Sequence, residues 1–236
     1  MTGPARHPRG EELLLARISA AAGREHLGKR LATYAGAAHT APAKSPRARG
    51  IRNLLSLLRP GGPSAAKAGD DARLDLYAYG MTVAVKGRIH VVRYDTTSVF
   101  RASATDAPAR AGTFCTLTDA DGKRVVLHAG PEHGDAAEWW SEIERGVTRA
   151  QLPRALAALD EGERLTFGDI WLTREKAGCG AEWAPWPQVR HRRTQEGAVE
   201  LGIGGTWHGP GSGASEIPNA FVLRALVEHL GPDGVR

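Results

Sequence analysis

The chain has 236 residues, 42% of them hydrophobic and 24% charged, enough for one large or two small domains with a sizeable core. No apolar run approaches the roughly 18 residues of a membrane span, and the basic N-terminus lacks the apolar core of a signal peptide. Two isolated cysteines, Cys115 and Cys179, form no CxxC and suit a reducing compartment, so the expectation is a soluble cytoplasmic protein.

The net charge of +5 is unevenly spread. Residues 1–72 hold 12 Lys and Arg against 5 Asp and Glu, whereas residues 73–236 hold 19 against 21. The basic character belongs to the N-terminal third, which predicts a basic helical arm and flexible linker over 1–72, attached to a near-neutral body.

Within that arm, Glu11–Tyr34 has an apolar stripe at helical spacing (Leu13, Leu14, Ile18, Ala21, Ala22, Leu27, Leu31), with acidic residues first and basic residues last. Such a stripe predicts a helix that docks on its own body, with a partner-binding helix or a segment that folds on binding as the alternatives. Residues 36–50 have the small and proline-rich composition of a linker. Ile51–Arg59 puts Ile51, Leu54, Leu55 and Leu58 on one helical face between the basic ends Arg52 and Arg59, and Pro60 stops it. Nine residues are too few for a stable isolated helix, so this segment needs a surface to pack on. That surface is expected first to be its own body; another protein or, with Lys44, Arg47 and Arg49 upstream, an anionic lipid layer are the alternatives.

The body begins near Leu74. Met81, Val83 and Val85 alternate with Thr82 and Ala84, as a half-buried strand does, and a turn at Lys86-Gly87-Arg88 leads back through Ile89–Tyr94. Further strands are expected at Ser98–Ser103, Thr113–Thr118 and Arg124–His128, the last two around an Asp-Gly turn. Asp135–Leu159 reads as helix, with Gly146 and Pro153 dividing it in two. Then the pattern restarts: a strand over Arg164–Leu172, strands at Gly180–Trp183, Trp186–His191 and Val199–Ile203, and a helix over Pro218–Leu230.

The restart makes Glu163–Val189 a second copy of Leu74–Val99. Tyr79-Gly80 corresponds in this reading to Phe167-Gly168, and Tyr94, three residues before Thr97, to Trp186, three before Val189. The expected architecture is α+β: an N-terminal helical arm, then two small antiparallel β-rich units over 73–162 and 163–236, each followed by a helix.

Several antiparallel strands followed by one helix resemble the bacterial pleckstrin-homology-like fold, and the sequence is similar to an uncharacterised actinobacterial family carrying that fold in tandem. The residues behind the resemblance are Gly162-Glu163 leading to Phe167-Gly168, Pro185-Trp186-Pro187-Gln188-Val189, and Ile217-Pro218-Asn219-Ala220. Leu27-Gly28 with Thr33-Tyr34 is a looser match. The resemblance implies a lipid- or peptide-binding module and brings no catalytic residues.

Candidate chemistry is sparse. Gly209 to Ala214 spells G-x-G-x-x-A, but no strand and acidic residue follow to complete a dinucleotide site. His128, Glu132, His133, Asp135 and Glu138 surround a Gly-Pro turn that prevents convergence on a metal. Arg190-His191-Arg192-Arg193 reads as a charged strand edge. No G-x-S-x-G accompanies the serines, and Cys179 stands in a turn with nothing to activate it. No catalytic, cofactor-binding or metal residue is assigned and no cofactor is expected. Trp171, Trp183, Trp186 and Trp207 are expected to line a groove, with Trp186 a core residue and Trp207, in a glycine-rich loop, the candidate surface aromatic.

The function expected is that of a non-enzymatic cytoplasmic binding or scaffolding protein. Its contact with a protein partner or the inner membrane surface would run through Lys44, Arg47, Arg49, Ile51, Arg52, Leu54, Leu55, Leu58 and Arg59. Nucleic-acid binding by the same arm is the alternative, ranked lower because the arm carries only Tyr34 for stacking. An enzyme without a recognisable motif ranks third.

Overall fold

The computed structural model describes residues 8–41, 72–103, 113–129, 136–193, 199–209 and 217–231. Helix α1 (Pro8–Arg24) precedes strands β1 (Arg30–Ala41), β2 (Ala72–Tyr77), β3 (Gly80–Val85) and β4 (Arg88–Arg93). Strands β5 (Val99–Ser103), β6 (Thr113–Thr118) and β7 (Arg124–Ala129) follow, then helix α2 (Ala136–Asp160). The order repeats with β8 (Leu165–Phe167), β9 (Ile170–Leu172), β10 (Lys176–Cys179) and β11 (Glu182–Pro185), then β12 (Arg190–Arg193), β13 (Val199–Ile203), β14 (Thr206–His208) and helix α3 (Ala220–Leu230). Four strands, three strands and a helix thus stand twice in the chain, in an α+β protein of antiparallel sheets. Two compact units result: Met1–Ala43 with Ala66–Thr97 and Ser103–Gly146, and Lys44–Ala65 with Ser98–Ala102 and Val147–Arg236.

In the first unit the strands run in the order β4-β3-β2-β1-β7-β6. The pivot is β1, which pairs with β2 over Arg30–Gly36 and with β7 over Ala37–Ala41. Its Thr33 lies opposite Asp75 and donates to that carboxylate at 2.6 Å. Asp75 is fully buried and also accepts from Arg73 Nε at 2.8 Å, which compensates a charge that burial would otherwise make costly. The β3–β4 turn is Lys86-Gly87, with φ of 50° and 74°; left-handed conformation at both central residues matches the right-handed twist of the flanking strands. Ile18, Ala21 and Ala22 of α1 and the following Leu27 are buried, and the helix packs on β3 and β4. This explains why β3 is buried on both faces rather than half buried as its alternation suggests.

The second unit has sheets ordered β11-β10-β9-β8 and β12-β13-β14. Ile170, Leu172, Ala177 and Ala184 from the first sheet, Val199, Leu201 and Ile203 from the second, and Phe221, Val222, Leu223, Leu226 and Val227 from α3 are among its buried apolar residues. Asn219 opens α3 in the left-handed conformation, φ 50°. Its backbone N–H donates to Val99 O at 2.8 Å, its Oδ1 accepts from Val99 N at 2.7 Å, and its Nδ2 donates to Gln151 Oε1 at 2.9 Å. One asparagine therefore ties β5, α2 and α3 together, which accounts for the Ile217–Ala220 segment as a structural motif.

Several expectations are corrected. The first helix ends at Arg24, and residues 30–41, read as its end and the start of a linker, form a strand that pairs with β2 over its first part and with β7 over its last. Gly146 and Pro153 do not divide α2, which runs unbroken; Pro153 is exposed and forfeits one intrahelical bond. Arg164–Leu172 is a hairpin, not one strand, turning at Gly168 (φ 64°) and Asp169. Tyr79-Gly80 lies at the β2–β3 turn and Phe167-Gly168 at the β8–β9 turn, so those two pairs are not equivalent. Tyr94 and Trp186 each directly follow the fourth strand of their set, and each is buried.

Candidate functional site

The outer face of the β8–β11 sheet carries an aromatic row. Strand alternation turns Ile170 and Leu172 inward and Trp171 outward. Gly178 on β10 stands opposite Trp171 of β9 on one side and Trp183 of β11 on the other. A Cβ at Gly178 would come within 2.3 Å of the Trp171 ring and 2.6 Å of Glu182 O, so the indole lies flat over a position that only glycine leaves open. Trp171 Nε1 donates to Gly180 O at 3.1 Å and fixes the ring.

Two cations complete the row. The Arg164 guanidinium sits 4.0 Å from the Trp171 ring centroid. Lys176 Nζ lies 4.5 Å from the Trp183 centroid and 6.0 Å from that of Trp171, between the two indoles. Among the described residues neither cation is paired with a carboxylate. Glu182, beside Trp183 in sequence, has its carboxylate 3.3 Å from His208 Nε2 on β14 instead. Trp171 is 7% exposed, whereas Trp183 is 55% exposed, an unusual state for so large an apolar side chain.

The β12–β14 sheet holds a related stack. Gly202 stands opposite both Arg190 and Trp207, and Arg192 lies 4.3 Å over the Trp207 ring. Arg192 is also paired with Glu200 at 2.6 Å, so its charge is balanced within the sheet. Trp207, the expected surface aromatic, is therefore on a strand and half-buried, not in a loop.

In the first unit a groove of about 470 Å³ lies between α1, β4 and the β6–β7 turn, with Arg17, Arg24, Ile89, Val91, Asp119 and Asp121 among its lining. Its carboxylates are largely engaged in structure. Asp119 accepts from His90 Nδ1 at 2.8 Å and from the backbone amides of Asp121 and Lys123 at 3.1 and 2.6 Å, while Asp121 pairs with Lys123.

The expected contact residues Lys44, Arg47, Arg49, Ile51, Arg52, Leu54, Leu55, Leu58 and Arg59 lie outside the described residues, as do residues 210–216 of the glycine-rich loop and residues 132–135 of the acidic and histidine cluster. No group of three or more metal-ligating side chains occurs among the described residues. Burial, then Asp169 and Glu182, raise the Cys179 thiol above its ordinary pKa, the reverse of an activated nucleophile. The four tryptophans do not share a groove: Trp171 and Trp183 flank Gly178, Trp207 lies on the other sheet, and Trp186 is buried with its Nε1 donating to Thr173 O at 3.1 Å.

Residues 71–232 match a family of unknown function, DUF6585. The chain belongs to the DUF6585 family. The match takes in every element from β2 to α3, and so the whole aromatic row, but leaves out α1 and β1, although β1 pairs with two strands of the matched region. No curated protein matches the chain. What sequence reasoning missed in this DUF6585 chain is the register: Trp171, Gly178 and Trp183 align only once the β8–β9 turn at Gly168-Asp169 is recognised, and that Gly-Asp pair is the signal that could have found it.

Proposed function

We propose that this DUF6585 chain is a non-enzymatic binding protein of two pleckstrin-homology-like units, recruited peripherally to an anionic membrane surface in the cytoplasm. The observation that carries the reading is the repeat of four antiparallel strands, three antiparallel strands and a helix. Strands closed by a following helix are the order of that fold, and resemblance to it implies a lipid- or peptide-binding scaffold. The charge distribution adds the membrane: in the sequence, the cations of residues 44–59 are interspersed with the apolar residues Ile51, Leu54, Leu55 and Leu58. No helix among the described residues is long and apolar enough to cross a bilayer, which fits a peripheral mode.

Co-sedimentation of the full chain with phosphatidylserine-containing and pure phosphatidylcholine vesicles tests this. Truncation at residue 72 is unsuitable because it would remove β1 from between β2 and β7. The expected result is salt-sensitive, anionic-selective binding that Leu54→Asp with Leu58→Asp weakens by about tenfold or more at unchanged melting temperature. Absence of binding to both vesicles would end the membrane reading. Retention of single-stranded nucleic acid in its place would transfer the basic segment to phosphates of that kind.

A further inference from the structure

We infer that the outer face of β8–β11 is a lipid contact in its own right: Trp183 enters the headgroup layer of an anionic bilayer, and Lys176 and Arg164 meet its phosphates. The inference rests on the membrane reading above and adds a site that the basic N-terminal segment does not include.

Three features of the face carry it. The first is shape. The Trp171 ring occupies the space over Gly178 and is itself only 7% exposed, so the face is filled at its centre and presents Trp183 with the Lys176 chain beside it. Such a surface meets a planar partner through side chains. The second is charge. Arg164 and Lys176 rest on indole faces with no carboxylate partner among the described residues, and the Glu182 carboxylate lies 3.3 Å from His208. An anionic surface supplies the missing counter-charge, and a lysine stem lying along an apolar ring with its ammonium outward is the arrangement that interfaces favour. The third is the exposed indole, apolar in body and polar at its N–H, which suits the boundary between hydrocarbon and water.

The same geometry disfavours a nucleic acid. Stacking platforms need open aromatic faces. Trp171 has Gly178 beneath it and Arg164 above it, and Lys176 already lies over Trp183. At most one ring face remains for a base, whereas phosphate contacts without stacking remain available.

The test uses the full chain on phosphatidylcholine vesicles containing about a quarter phosphatidylserine. Lys176→Gln and Arg164→Gln are each expected to lower the partition coefficient about fivefold, and Trp183→Ala by a similar factor, all with unchanged melting temperatures because these side chains are not core residues. Lipids brominated near the headgroup should quench the wild type, and Trp183→Phe should lose part of that quenching. If Trp183→Ala binds like the wild type while Leu54→Asp with Leu58→Asp abolishes binding, this face is not a contact and the membrane reading stands without it. If the wild type ignores both vesicle types, both fall. If Trp183→Ala loses single-stranded RNA and keeps vesicle binding, the face belongs to nucleic acid and the inference is overturned.

Discussion

The two sheets of the second unit carry the same device under different pressure. Each places a tryptophan opposite a glycine on the next strand and an arginine over the indole: Trp171, Gly178 and Arg164 in one, Trp207, Gly202 and Arg192 in the other. At Gly178 an added Cβ would meet the ring at 2.3 Å; at Gly202 the nearest atoms stand at 3.5 Å. Arg192 is neutralised by Glu200 at 2.6 Å, whereas Arg164 and Lys176 have no such partner among the described residues. The difference separates two uses of one motif. On β12–β14 the stack is a loose, charge-balanced cover over its own strands. On β8–β11 it is a tight platform that leaves cationic charge and an indole available to something outside the chain.

The first unit turns its charges the other way. Asp75 is buried between Thr33 and Arg73, and Asp119 is held by His90 and two backbone amides. Those ion pairs and hydrogen bonds set strand register and close a turn. Among the described residues, uncompensated cations lie on aromatic faces in the second unit, on β8–β11, which is why the contact is assigned there.

The largest expected effect tests whether that platform rests on a real core. Trp186 follows the fourth strand of its set, is 6% exposed and donates to Thr173 O. Trp186→Ala should cost about 3–5 kcal/mol in chemical denaturation, from lost burial and the cavity left behind. A neutral result would remove the equivalence with Tyr94 and with it the internal repeat.

The next effect probes the tight stack. Gly178→Ala places a methyl group against the Trp171 ring and the Glu182 carbonyl, one of which must move. A destabilisation of about 1–3 kcal/mol is expected, together with altered tryptophan fluorescence as Trp171 lifts from the sheet. Unchanged stability would mean that the indole is free to tilt away, and the flatness of the row would be lost as an argument.

Much of the fold was legible because local pattern and tertiary outcome agree. The β3–β4 hairpin follows from alternation around Lys86-Gly87, β6–β7 from the Asp-Gly turn, and α3 from its apolar stripe. Strand β1 was not legible. Its sequence, RLATYAGAAHTA, is rich in alanine and glycine and has no β-branched alternation, so its extended state comes from pairing with β2 and β7, partners that follow it in the chain. The aromatic row was half legible. The tryptophans stood out as residues, but which of them share a face depends on register, and a one-residue error in register moves each to the opposite side of the sheet.

The smallest effect completes the comparison with which the two sheets differ. At Gly202 an added methyl would meet Arg190 Cβ and the Trp207 ring at 3.5 Å, ordinary contact distance, and the glycine has no left-handed φ to protect. Replacing a strand glycine by alanine restricts the unfolded chain and adds a packed methyl, so Gly202→Ala should be neutral or stabilising by up to about 0.5–1 kcal/mol. Measured beside Gly178→Ala, it asks whether the two glycines differ as the geometry says. Opposite signs would mean that Trp171 is clamped by its glycine and Trp207 merely rests on its own. Equal losses would show both stacks to be equally tight, and uncompensated charge alone would then distinguish the β8–β11 face as the one built for a partner.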